Sequence, residues 1–422
     1  MRNLRNSRHS LVEFPNDSLP PTATTWDPAT DGLIAAFGPT SSSPVIELRR
    51  LAKDCYSAHD AKQIASWDAP SPLPDIPVDR ILSLQYFADT ATICLILAGG
   101  DIVIVREEPL PGEDLIEIVG SVDEGIAAAV WSPDEELLAI STRANTLILM
   151  TRDFESIANV TLSPEDVQVS AHVSVGWGKR ETQFQGKRAK ALKDPTVPEH
   201  VDEGQLSSLD QMQTTISWRG DGAYLAVNSV QDENRRIIRV YSREGVLESV
   251  GVPVDGLEGA LSWRPVGNLM AGIQRLSDRV DVVFFERNGL RHGEFSLRLS
   301  AEDMESWASA ITLAWNSDST VLAVSFKDRV QLWTMGNYHY YLKQEIFTNG
   351  TSEADSLPVR TAWHPEKPLY LSASSGSTLR FLPNPNLRAN IKPRFSANAL
   401  VHIQCIRELD KTAIRPWPYL RH

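Results

Sequence analysis

One pattern limits what this chain can fold into: an aromatic residue at the end of an alternating apolar run, a polar turn, then a second apolar run. Ile216 to Val227, ISWRGDGAYLAV, shows it most fully, with Trp218 before the Asp221-Gly222 turn and Tyr224 to Val227 after it. Alternation broken by an Asp-Gly turn is the signature of two antiparallel strands joined by a hairpin. The unit returns at Trp26, Trp131, Trp263, Trp315 and Trp363, and in weaker form at Tyr86 and Trp177.

The intervals carry more information than the unit. Tyr86 to Trp131 is 45 residues, and the following steps to Trp177, Trp218, Trp263, Trp315 and Trp363 are 46, 41, 45, 52 and 48. Periods of about 40 to 50 residues filled by strand-length pieces indicate four-stranded propeller blades. Pieces such as IIRVYSREG and DVVFFERNG are β-branched and aromatic, which excludes the helical repeats. The first step, Trp26 to Tyr86, is 60 residues, and the Pro-rich SWDAPSPLPDIPV at 66 to 78 takes up the excess as a surface loop. The expected architecture is all-β: one WD40-like β-propeller of seven or eight four-stranded blades over residues 1–382. An exposed loop is expected at 186–212, and an irregular tail at 383–422 in which VHIQCIREL is a strand or a short helix. Because an open last blade would leave a sheet edge unpaired, the apolar stretch at 3–14 is expected to complete the blade of Trp363. The eight aromatics read as packing between blades.

Composition then bounds function. A formal net charge of -13, from 41 Lys and Arg against 54 Asp and Glu, argues against broad attraction to nucleic acid or an anionic membrane. The scattered cysteines Cys55, Cys94 and Cys405 fit neither a disulfide framework nor a metal cluster, and imply a reducing compartment. No apolar run reaches the roughly 18 residues of a membrane span. The basic start MRNLRNSRHS has no apolar region after it, which leaves a mitochondrial presequence as the alternative to no leader.

No motif announces chemistry. GWGKRET lacks Walker-loop spacing, GLEGAL lacks the dinucleotide glycines, the histidines form no HExxH, and SASSGST lacks a nucleophile elbow. No cofactor or metal is expected. The acids Asp134, Glu135 and Glu136, with Glu302 and Asp303, are candidates for acid-base work in a propeller channel; against this, the trio falls at a hairpin turn, where acids are ordinary. The single basic cluster is Lys179, Arg180, Lys187, Arg188, Lys190 and Lys193, near Trp177 and Phe184. It reads either as a solvated loop or as a nucleic-acid contact through phosphate neutralisation.

Several longer strings are distinctive: VGWGKRETQFQG (175–186), SWRGDGAYLAV (217–227), RVYSREG (239–245), GLEGALSWRPVGNL (256–269), VVFFERNGLRHGEF (282–295) and QLWTMGNYHYYLKQ (331–344). With MRNLRN and VWSPDEELLAI (130–140), they make residues 1 to 380 resemble the amino-terminal region of the largest, IKAP-type, Elongator subunit family. The resemblance implies a propeller scaffold without catalytic residues, in a complex that modifies the wobble uridine of tRNA. It further implies other Elongator subunits as partners, tRNA contact through the assembled complex, and a cytoplasmic location extending to the nucleus. The family's dimerisation and basic tRNA-contacting regions lie in a helical part beyond the resemblance, so homodimerisation is not carried over. The departure after residue 383 is expected of a truncated product or an altered reading frame.

Overall fold

The computed structural model describes residues 4–13, 19–52, 61–169, 202–232, 234–300, 303, 311–347, 359–374 and 400–408, with 4–13 and 400–408 described as backbone only. Seven antiparallel four-stranded sheets account for the described strands. Blade 1 runs through Pro21–Asp27, Gly32–Phe37, Val45–Leu51 and Lys62–Asp68, and blade 2 through Ile81–Phe87, Thr92–Leu97, Asp101–Arg106 and Ile116–Ser121. Blade 3 is Ile126–Trp131, Leu137–Thr142, Thr146–Thr151 and Ser156–Thr161; blade 4 is Thr215–Trp218, Tyr224–Gln231, Arg235–Ser242 and Leu247–Val250. Blade 5 is Leu257–Trp263, Leu269–Arg275, Val280–Glu286 and Arg291–Ser296, and blade 6 is Thr312–Trp315, Val321–Ser325, Arg329–Gly336 and His339–Phe347. Within these six, the strands pair in sequence order, as expected of successive hairpins.

Blade 7 is assembled from both ends of the described chain. Its strands lie in the order Leu4–Glu13, Leu400–Glu408, Tyr370–Ser374, Arg360–Trp363, so the amino-terminal strand closes the sheet. VHIQCIREL is a strand, and the segment set apart from residue 383 therefore contributes Leu400–Glu408 to the propeller.

Innermost strands touch in sequence from blade 1 to blade 7, and that of blade 7, Arg360–Trp363, returns to Pro21–Asp27 of blade 1, so the ring closes with seven blades. The alternative of eight fails between Trp131 and Trp218: the strand Ile126–Trp131 contacts Thr215–Trp218 directly, leaving no place for a blade begun by Trp177. Trp177 itself lies outside the described residues.

The core is distributed accordingly. Six apolar clusters among the described residues each span two neighbouring blades: Leu48 and Ile93 join blades 1 and 2, Ile104 and Ile140 join 2 and 3, and Leu149 and Leu225 join 3 and 4. Val240 packs with Phe285, Val282 with Leu322, and Leu332 with Leu371 further round the ring. Face-to-face packing of twisted sheets buries apolar area without any central core, and supplies most of the cohesion.

Candidate functional site

The repeated aromatics are stitches between blades. Trp26, Tyr86, Trp131, Trp218, Trp263 and Trp315 are buried, and Trp363 is half-buried. The Trp218 indole Nε1 donates to Val130 O at 3.3 Å, Trp363 to Ala314 O at 3.0 Å, and Trp26 to Ala362 O at 3.0 Å. In every case the acceptor is the residue just before the aromatic of the preceding blade. Backbone N–H groups repeat the device, with Trp263 donating to Ser217 Oγ at 2.8 Å and Trp315 to Ser262 Oγ at 3.2 Å. Tyr86 instead directs its hydroxyl to Glu107 at 3.3 Å, beneath the Arg50 guanidinium.

The acidic candidates are taken up by the same task. Asp134 and Glu136 pair with Arg243 of blade 4 at 2.8 and 3.0 Å, and Glu135 accepts from Gln85 of blade 2 at 2.8 Å. Burial lifts the Glu135 carboxyl above its usual range, with the Gln85 amide working against it. One blade earlier, Arg152 grips Asp89 at 2.5 Å; two earlier, Arg50 lies between Asp27 at 2.5 Å and Glu107 at 2.6 Å. Arg219 is forked onto Asp221, reaches Asn268 at 2.8 Å and stacks on Tyr224. Asp303 pairs with Arg329 at 2.7 Å, while Glu302 lies outside the described residues. Half-exposed pairs of this kind are worth about 0 to 1 kcal/mol each and fix register more than stability.

Two further groups complete the titratable picture. Cys94, between blades 2 and 3, is buried, and burial pushes its thiol up to about 12, so it is no nucleophile. Asp79, in the connection from blade 1 to blade 2, is 2% exposed and accepts a hydrogen bond from the Gly99 N–H at 2.6 Å. Burial pushes its carboxyl up to about 6, opposed by the Gly99 bond and reinforced by the Asp101 charge. No group of three His, Cys, Asp or Glu side chains suited to a metal occurs among the described residues.

The largest investment of buried charge surrounds the segment between blades 3 and 4. Arg236 and Arg239, on the third strand of blade 4, have fully buried side chains. Arg239 donates to Asp166 at 2.8 Å, to Ser163 O at 2.9 Å and to Gln231 at 2.7 Å, holding the 3-10 helix Pro164–Val169. Arg236 makes a two-pronged pair with Asp210, both bonds 2.6 Å, and donates to Gln213 O at 2.8 Å. The Asp255 carboxylate accepts from the N–H groups of Glu203, Gly204 and Gln205 at 2.7 to 2.9 Å. Glu258, paired with Arg275 at 2.5 Å, takes the Ser207 hydroxyl. Gly204 and Asp210 are thus docked on blades 4 and 5, whereas the sequence suggests an exposed loop over all of 186–212. An ion pair this deep gives up solvation for position.

Both flanks of 170–201 are therefore fixed to one strand. The basic candidates Lys179, Arg180, Lys187, Arg188, Lys190 and Lys193 all fall between those flanks, outside the described residues. The buried arginines carry no motif. Their one signal is position, since RRIIRVYS places charge inside an otherwise apolar strand.

Comparison with known proteins agrees with this architecture. Residues 1–366 match the family model described as the ELP1 first N-terminal beta-propeller. The chain is 42% identical over 386 residues to Elongator complex protein 1 of Schizosaccharomyces pombe, covering 89% of this chain and 29% of that protein. It is 38% identical over 432 residues to Elongator complex protein 1 of Saccharomyces cerevisiae, covering 90% and 30%, and 40% identical over 315 residues to that of Mus musculus, covering 71% and 22%. It thus spans less than a third of the length of these relatives. Among solved structures, a chain of the mitotic checkpoint complex superposes with a TM-score of 0.51 at 13% identity, covering 88% of this chain and 91% of that one, a likeness of fold alone.

Proposed function

The chain belongs to the ELP1 first N-terminal beta-propeller family, and from that premise we propose that it is a non-catalytic docking module of an Elongator complex acting in wobble-uridine modification of tRNA. The observation that supports this most is the use made of its polar side chains. Asp134, Glu135 and Glu136, the acidic trio that sequence offers for catalysis, are committed to neighbouring blades through Arg243 and Gln85, which leaves the loops for partners. The other subunits of the complex are its partners, in the cytoplasm and also the nucleus, and it needs no cofactor. Co-expression with those subunits tests this. Retention of the chain on a tagged subunit at low salt is expected, and retention of none would end the assignment.

A second reading, direct contact with tRNA through the basic cluster at 179–193, draws on the two anchored flanks that hold the cluster's segment to blade 4. Replacing Lys179, Arg180, Lys187, Arg188, Lys190 and Lys193 by glutamine should then lower tRNA affinity and flatten its salt dependence by about 0.7 to 0.9 for each phosphate no longer neutralised. Unchanged affinity and slope would remove this reading while leaving the docking role intact. A propeller enzyme working through Asp134, Glu135 and Glu136 has no comparable support.

A further inference from the structure

A strand at the outer edge of a blade presents a row of unpaired N–H and C=O groups, and proteins usually blunt such edges with charge, above all lysine. The outer strands of blades 1, 5 and 6 carry Lys62, Arg291 and Lys343. Blade 2 differs. Its outer strand Ile116–Ser121 reads IEIVGS, and its single charge, Glu117, is matched by Arg106 at 2.7 Å. Beside it the surface is apolar: Ile118 is 62% exposed, Leu110 67% and Leu115 38%.

The surroundings carry one sign of charge. Between residues 107 and 124 lie Glu107, Glu108, Glu113, Asp114, Glu117, Asp123 and Glu124, with no lysine or arginine. Glu107 is engaged by Arg50, and Arg106 serves Glu113 and Glu117. Among the described residues, no cation forms an ion pair with Glu108, Asp114, Asp123 or Glu124. An open edge with exposed leucine and isoleucine attracts an extended peptide through main-chain hydrogen bonds and alternate side chains, and the acidic border selects its charge. We propose that the outer edge of blade 2 receives a basic, extended segment of a partner protein as a fifth strand, with Ile118, Leu110 and Leu115 meeting its apolar side chains and the free carboxylates its lysines or arginines. This deepens the docking role above by naming the surface and the chemistry of the partner, and its test needs no Elongator subunit, so either idea can fail alone.

The probe is a labelled seven-residue peptide alternating lysine and valine, titrated against the 422-residue chain by fluorescence anisotropy, with hydrogen exchange read by mass spectrometry. Saturable binding is expected, with slowed exchange at 116–121, and at least a ten-fold weaker affinity for Ile118→Lys. Leu110→Lys, which lies off the strand, should weaken binding in the same direction with an unchanged melting temperature. A peptide alternating glutamate and valine, or the lysine peptide with a central proline, should not bind. Equal binding by the glutamate peptide, indifference to both substitutions, or protection elsewhere would overturn the proposal. So would self-association of the chain that Ile118→Lys abolishes, since the occupant would then be a second copy.

Discussion

Replacing Asp79 by asparagine should stabilise the fold at neutral pH and do little in acid. The carboxyl has a folded value of about 6 against an ordinary 3.8, because burial outweighs the hydrogen bond from Gly99. A raised acid makes the folded state the tighter binder of a proton. Its stabilising effect is complete below about 3.8 and is lost as pH rises through about 6. Asparagine copies the neutral form in shape, keeps an oxygen for the Gly99 N–H and does not titrate. The stability of Asp79→Asn relative to the parent should therefore climb between pH 4.5 and 6, by about 1.5 pH units at about 1.4 kcal/mol each, or about 2 kcal/mol, and then stay level. Equilibrium urea unfolding of both proteins at pH 4.5, 5.5, 6.5 and 7.5 measures this, and titrating groups that do not interact with Asp79 cancel in the difference. A difference equal at pH 4.5 and 7.5 would show that Asp79 is ionised in the fold throughout, and the reasoning from burial would be refuted.

Other expectations follow from the stitches and the anchors. Asp210→Asn leaves Arg236 buried without its anion and should cost about 3 to 5 kcal/mol in urea unfolding, whereas Arg243→Ala, which breaks half-exposed pairs, should cost about 1 kcal/mol or less. Trp218→Phe removes the bond to Val130 O while keeping most of the ring's volume, for a loss of about 1 kcal/mol, and Trp218→Ala should lose about 3 to 5 kcal/mol. At Gly256, φ is +73° and an added Cβ would lie 2.2 Å from Arg275 O. Gly256→Ala should therefore lower the melting temperature by more than any exposed alanine substitution on the same blade.

Sequence spacing made the propeller legible because each blade spends nearly the same length on four strands and three turns. It misled once. From Trp131 to Trp218 is 87 residues, close to two blade lengths, so an insertion as long as a blade imitates one when it happens to contain a tryptophan. What decides the matter is a contact, Trp218 to Val130 O, that no interval can encode. The acidic trio shows the same limit from the other side. Turn position was readable, but the partner Arg243 is more than a hundred residues away in sequence and comes near only when the next blade docks. Arg236 and Arg239 were overlooked because a charged residue in an apolar strand looks like a flaw until the segment it holds is seen.

Blade 7 joins the chain's earliest strand to one made almost 400 residues later. Closing a loop of that length rather than a short hairpin carries an entropic cost of about 4 kcal/mol, spent before the pairing returns anything. On a ribosome, Leu4–Glu13 leaves the exit tunnel long before Leu400–Glu408 exists, and once Phe347 has been made six finished blades wait with nothing to shut them. The flanks that blade 7 will cover, among them the Trp26 edge of blade 1 and Leu332 of blade 6, stay wet and adhesive until translation passes that point. A pause or a premature stop there would leave a nearly complete ring with two open ends, and the nascent chain would need a chaperone to keep those ends from joining a neighbour.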